Sequence, residues 1–140
     1  MALVLEQARE MIAATRAKGR EMGLKPLSVV VLDAGGHVLA FEREDGAAPG
    51  RFGIAHGKAY GAVMLGMAGR AQMARAEAQA YFMAAVNGAF GGKVVPVTGG
   101  VLVMQGDRVV GAVGVTGDTS DNDAAAAVAG IEAAGFAARA

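Results

Sequence analysis

The sequence predicts an α+β domain in which helices pack on an antiparallel sheet. Three observations carry this. Two β-branched runs each fold back on a partner across a short glycine turn, one about Gly35-Gly36 and one about Gly106-Asp107. Amphipathic or alanine-rich stretches precede, separate and follow these hairpins. Strands come in hairpin pairs rather than alternating singly with helices, which disfavours a parallel α/β sheet.

Each element has a local reason. Val4, Leu5, Ala8, Met11, Ile12 and Thr15 fall on one helical face, with Glu6, Arg9, Glu10 and Arg16 opposite. That helix is expected to run to about Met22, where Gly23 ends it and Pro26 blocks continuation. Leu27–Asp33 is short and β-branched and reads as a strand. Ala34-Gly35-Gly36 turns the chain, and His37–Arg43 returns as its partner. Glu44–Gly50 is a polar loop, Phe52–Met67 a buried helix and Ala71–Gly88 further helix. Phe90–Gly100, with four glycines and a proline, is a loop whose backbone must take positive φ or approach something closely. Val101–Gln105 and Arg108–Thr116 form the second hairpin. A last helical face follows at Ala124, Ala127, Val128 and Ile131, with Asp118 to Asp123 supplying caps.

Composition narrows the function. The chain has 140 residues and reads as a single domain, 1–140. Hydrophobic residues are 54% and charged residues 19%, enough for a real core. Thirteen basic and thirteen acidic residues cancel, so no net field attracts nucleic acid or an anionic membrane. Aromatics are 5%, too few for a base-stacking platform. Without cysteine there is no disulfide, thiolate metal site or thiol nucleophile. No segment has the length of a bilayer span, and the N-terminus lacks a basic leader before an apolar core, so a cytoplasmic protein is expected. Abundant small residues and zero net charge suit a tightly packed homo-oligomer as well as a monomer.

Lys58 is the most informative single residue. It stands within Ile54–Ala68, where His56 is the only other strongly polar side chain. A charge in such a segment snorkels to water or needs a partner or ligand. Gly53-Ile-Ala-His-Gly57-Lys58-Ala59 fails as a phosphate loop, because the glycine spacing is short and no hydroxyl follows the lysine. Gly111, Gly114 and Gly117 miss the dinucleotide spacing and are expected where a helix packs closely on the sheet. Asp118, Asp121 and Asp123 do not match a calcium loop and are expected to cap a helix. Two histidines, His37 and His56, are too few for a protein zinc site, but either suffices as an axial ligand to haem iron. On a helix His56 and Lys58 point apart. Arg43 and Lys58, with Asp33 nearby in sequence terms, form a candidate carboxylate-binding group. There is no nucleophile elbow and no zincin motif.

Several stretches then combine. Val31-Leu32-Asp33-Ala34-Gly35-Gly36-His37, Ala40-Phe41-Glu42-Arg43, Asp45-Gly46, Ile54-Ala55 and Gly57-Lys58-Ala59 occur in order. Phe90-Gly91-Gly92, Val95-Pro96-Val97, Gly111-Ala112-Val113-Gly114-Val115-Thr116-Gly117 and Asp123 follow. Together they resemble the GlcG/HbpS-like family, also called the haem-degrading domain, over essentially the whole chain. The resemblance implies a profilin-like antiparallel sheet with helices packed on its faces. It implies homo-oligomers, from dimers to tetramers or octamers, and a small-molecule ligand: haem or another tetrapyrrole. Haem as cofactor would use His37 or His56 at the iron, with Arg43 or Lys58 at the propionates. Gly91, Gly92 and Pro96 join Arg43, Lys58 and His56 in the expected ligand-binding set. An alternative expectation is a small isomerase- or tautomerase-type enzyme or sensor for an organic acid, with Lys58 or Asp33 as base and Lys58 as carboxylate anchor. A further alternative is a non-catalytic accessory subunit of a metabolic operon. Two departures from the family pattern bear on the pocket: Tyr60-Gly61-Ala62 follows the Lys-Ala pair, and Ala124 stands after Asp123 where an acid is common.

Overall fold

The computed structural model describes residues 2–140. The elements are α1 (Leu5–Met22), β1 (Ser28–Asp33), β2 (Val38–Arg43), α2 (Arg51–Leu65), α3 (Gly69–Ala78), α4 (Ala80–Ala89), β3 (Gly100–Gln105), β4 (Arg108–Thr116), α5 (Ser120–Ala133) and β5 (Ala137–Arg139). The strands form one five-stranded sheet in the order β2-β1-β4-β3-β5, with every pairing antiparallel. Both expected hairpins are present, and β1 and β4 join them at the centre.

Strand alternation explains the layers. Val29 and Val31 of β1 pair with Val115 and Val113 of β4, and these four face the cluster that α1 and α5 cover. Val30 and Leu32 pair with Gly114 and Ala112, on the opposite face, where α2 lies over Val30, Leu32, Leu102 and Ala112. Both faces of the central strands are therefore buried, and their sequences run almost without polar residues.

The α2 face is built for close approach. A Cβ on Gly114 would fall on the Ala55 carbonyl oxygen, and one on Gly100 on the carbonyl of Lys58. The helix backbone therefore rests directly on the sheet, with Ala55, Ala59 and Ala62 filling the remaining space. The expectation that the β4 glycines mark helix–sheet packing holds at Gly114. It does not hold at Gly117, where a Cβ would instead strike the Pro26 carbonyl, nor at Gly111, which is crowded by Leu32 and Leu3.

Two local expectations need correction. The helical stretch Ala71–Gly88 is two helices, broken at Gln79 with φ −141 and ψ 65. The Gln79 side chain accepts from Nε of Arg75, and neither glycine nor proline marks the break. The strand β5 escapes sequence reading because its three residues, Ala-Ala-Arg, have no alternation of their own. It is held by pairing with the β3 edge at Leu102, Val103 and Met104. Among the described residues no helix is long and apolar enough to cross a membrane.

Candidate functional site

Lys58 points inward. Its residue is 3% exposed, and its ammonium donates to the Val115 carbonyl at 3.0 Å and to Oδ2 of Asp123 at 3.3 Å. Gly99 makes the passage: a Cβ there would sit 2.8 Å from Nζ. The other carboxylate oxygen of Asp123 accepts the Asp118 backbone N–H at 3.0 Å. Burial pulls the Lys58 ammonium below its ordinary value, against the Asp123 charge and bond, and the like charge of Arg51 adds to the lowering. Burial likewise lifts Asp123, against the Asp118 N–H and Lys58. A depressed lysine is one signature of a catalytic base, but buried ion pairs produce it too. Here the ammonium is engaged by two protein acceptors, and the anion facing it is the protein's own Asp123. The pair ties α2 to β4 and to the first turn of α5, around the end of the sheet.

The other flank of α2 is different in kind. Phe52, His56 and Tyr60 recur every four residues and form a column on one helix face. The ring centroids of His56 and Tyr60 are 5.4 Å apart with planes 21° from parallel, and those of Phe52 and His56 are 5.8 Å apart. Phe41 of β2 meets Phe52 edge-on at 4.8 Å, and Phe90 meets Tyr60 edge-on at 6.0 Å. The Lys93 ammonium stands 5.7 Å from the Tyr60 ring centre. Phe52 is 41% exposed, and His56 and Tyr60 are half-buried, so the column opens to solvent along one side.

The loop after α4 is fastened to this helix. The Val95 N–H donates to the Gly57 carbonyl at 3.1 Å, and a Cβ on Gly57 would strike Val95 and the Lys93 carbonyl. The Asn87 side chain accepts the Val94 N–H at 2.9 Å. Gly91 and Gly92, at φ 68 and 75, turn the chain between Phe90 and Lys93, so both side chains reach the same ring of Tyr60. Burial lowers the His56 imidazole from its ordinary value, and the Lys93 charge lowers it further. The ring is therefore neutral at neutral pH and presents a lone pair.

The residues singled out from sequence thus separate. His56 and the loop holding Gly91, Gly92 and Pro96 share the outer side of α2. Lys58 lies on its inner side. Asp33 and His37 meet each other at the first hairpin turn, with Oδ1 of Asp33 3.2 Å from Nδ1 of His37 and accepting the Gly35 and His37 amides. Burial alone would raise Asp33, but those amides and His37 together hold it below the ordinary aspartate value. The His37 side chain is 80% exposed. Arg43 ends β2 opposite Ser28 and is exposed. Phe41, Phe52, Phe90 and Lys93 are not marked as site residues by the sequence, and Tyr60 is marked there only as a departure from the family pattern. The four-residue spacing of Phe52, His56 and Tyr60 was the available signal, whereas Phe41, Phe90 and Lys93 join only through the fold.

A five-stranded antiparallel sheet covered on both faces, with small residues under α2, defines an α+β class with helices on both sides of one sheet. The sequence matches the family described as haem-degrading protein HbpS-like over residues 3–132, and the chain belongs to that family. No curated protein matches it. Among solved structures, the PduOC–haem complex superposes with a TM-score of 0.87 at 21% identity, covering 100% of both chains. The protein ORFY of Klebsiella pneumoniae gives 0.85 at 25% identity, covering 94% of this chain and 90% of that one. A double mutant of HbpS from Streptomyces reticuli gives 0.80 at 27% identity, covering 94% and 86%. The antiparallel fold expected from the sequence is thus the fold of the family.

Proposed function

We propose that the protein binds haem, or a closely related flat tetrapyrrole, on the outer flank of α2, with His56 as the iron ligand. The observation that carries this reading is the imidazole of His56 set between Phe52 and Tyr60 in an open aromatic column, where burial lowers its pKa and so favours the neutral, ligating form. Haem needs one or two axial ligands, an apolar wall for the macrocycle and cations for its propionates. His56 offers a lone pair, Phe41, Phe52, Tyr60 and Phe90 offer wall, and Lys93 offers an ammonium at the column's edge. Membership of the HbpS-like family and the haem complex of the PduOC relative support the same ligand class.

Hemin titration of the whole protein tests this. The expected result is a saturable Soret shift at one equivalent per chain that His56→Ala removes and His37→Ala leaves in place. A Soret shift unchanged by His56→Ala would remove His56 as the ligand.

A further inference from the structure

Besides the aromatic column, a cavity of about 230 Å³ opens between the start of β1, the loop after β2 and the start of α2. Lys25 and Arg51 supply its charge, and Pro26, Ala47 and Ala48 its apolar wall. Gly117 closes the floor with bare backbone, since a side chain there would strike the Pro26 carbonyl.

Arg51 is out of balance. It is half-buried, and one of its five donors goes to the Thr116 hydroxyl at 2.7 Å. No carboxylate among the described residues lies within ion-pairing distance of it. The charge behind it is Lys58, a like charge already matched by Asp123. The acid beside Lys25, Asp118, accepts from the Lys25 and Thr119 amides and the Asn122 side chain and offsets part of the Lys25 charge, so Arg51 is the unmatched cation of the cavity. The first turn of α2 brings no acid and its Gly50 cap no side-chain acceptor, so the helix end adds positive potential to that of the two cations. The free donors of this half-buried guanidinium, which has no counter-ion of its own, face a cavity open to an anion from solution.

We propose that this cavity is a second ligand site, one that takes a short-chain organic carboxylate: the carboxylate on the free edge of the Arg51 guanidinium, Lys25 adding charge, and the carbon chain against Pro26, Ala47 and Ala48. The planar fork of arginine matches a carboxylate in two parallel hydrogen bonds. The volume holds about eight waters' worth of liquid, which suits a short-chain acid and excludes a tetrapyrrole. This site is independent of the haem reading and can be tested without hemin.

The test is a titration of the ¹⁵N-labelled full chain with propionate, with propionamide and inorganic phosphate as controls. Propionate is expected to give saturable shifts at the amides of Gly46, Ala47, Arg51 and Gly117, with a Kd of about 1 mM, in keeping with so small a ligand. Propionamide, the same shape without charge, is expected to give none. Arg51→Met is expected to weaken binding about tenfold or more, equivalent to about 1.4 kcal/mol. Ala48→Leu, which fills the cavity and leaves the charges alone, is expected to abolish it and covers the case in which Arg51→Met fails to fold. Equal shifts from propionamide, binding of phosphate alone, no saturation, or unchanged affinity in Ala48→Leu would each overturn the proposal.

Discussion

Lys58 and Asp123, 65 residues apart in sequence, meet at 3.3 Å inside the protein with side chains 4% and 1% exposed. Burial works against both charges, lowering the lysine and raising the aspartate, and their mutual attraction opposes it. Such a pair is weak evidence of stability in itself, yet removing one partner strands the other in the interior. The geometry therefore gives Lys58 a structural part, latching α2 to the start of α5.

Lys58→Met is accordingly expected to destabilise the fold by about 3–5 kcal/mol in denaturant unfolding. Lys58→Met combined with Asp123→Leu is expected to recover most of that loss, because no lone charge remains. A single Lys58→Met variant as stable as the parent would contradict the latch.

The aspartates around that latch are expected to titrate in opposite directions from the ordinary value of 3.8. The Asn122 side chain, then the Lys25 and Thr119 amides, hold Asp118 down to about 2. Its contribution to stability is complete above the ordinary value and is lost as pH falls towards about 2. Asp123 behaves inversely: the folded protein takes up its proton before the unfolded chain does, so that step favours the folded state as pH falls. Carboxyl-carbon NMR across an acid titration reads both, and Asp123 titrating below Asp118 would contradict the assignment.

Gly114→Val is expected to cost about 1–3 kcal/mol, and more if α2 cannot lift, since its Cβ would fall on the Ala55 backbone rather than on a movable side chain. Thermal unfolding of Gly114→Val beside Gly53→Ala, where a Cβ meets nothing within 4 Å, separates crowding from loss of glycine itself. Equal behaviour of the two variants would contradict close helix–sheet contact.

The sheet was legible because its signals are local. Val29 to Leu32 and Val101 to Val103 carry β-branched runs between glycine turns, and Gly23 and Pro26 mark the end of α1. The break at Gln79 and the strand β5 were not legible: no glycine or proline marks the break, and β5 depends on the β3 edge that the folded chain supplies. The same division runs through the site. Lys58 stood out as a charge in an apolar segment, but nothing in its neighbourhood of sequence points to Asp123 as its partner. His56 stood out as a histidine, but the rings that extend its column, Phe41 against Phe52 and Phe90 against Tyr60, come 15 and 34 residues away from it in numbering.

The most direct test of the central claim is hemin affinity measured on the parent protein, on His56→Ala, and on His56→Ala with free imidazole added. The account requires His56→Ala to bind at least about tenfold more weakly, a loss of about 1.4 kcal/mol, with imidazole restoring the parent's Soret band. Parent-like affinity and an unchanged spectrum in His56→Ala without imidazole would contradict it.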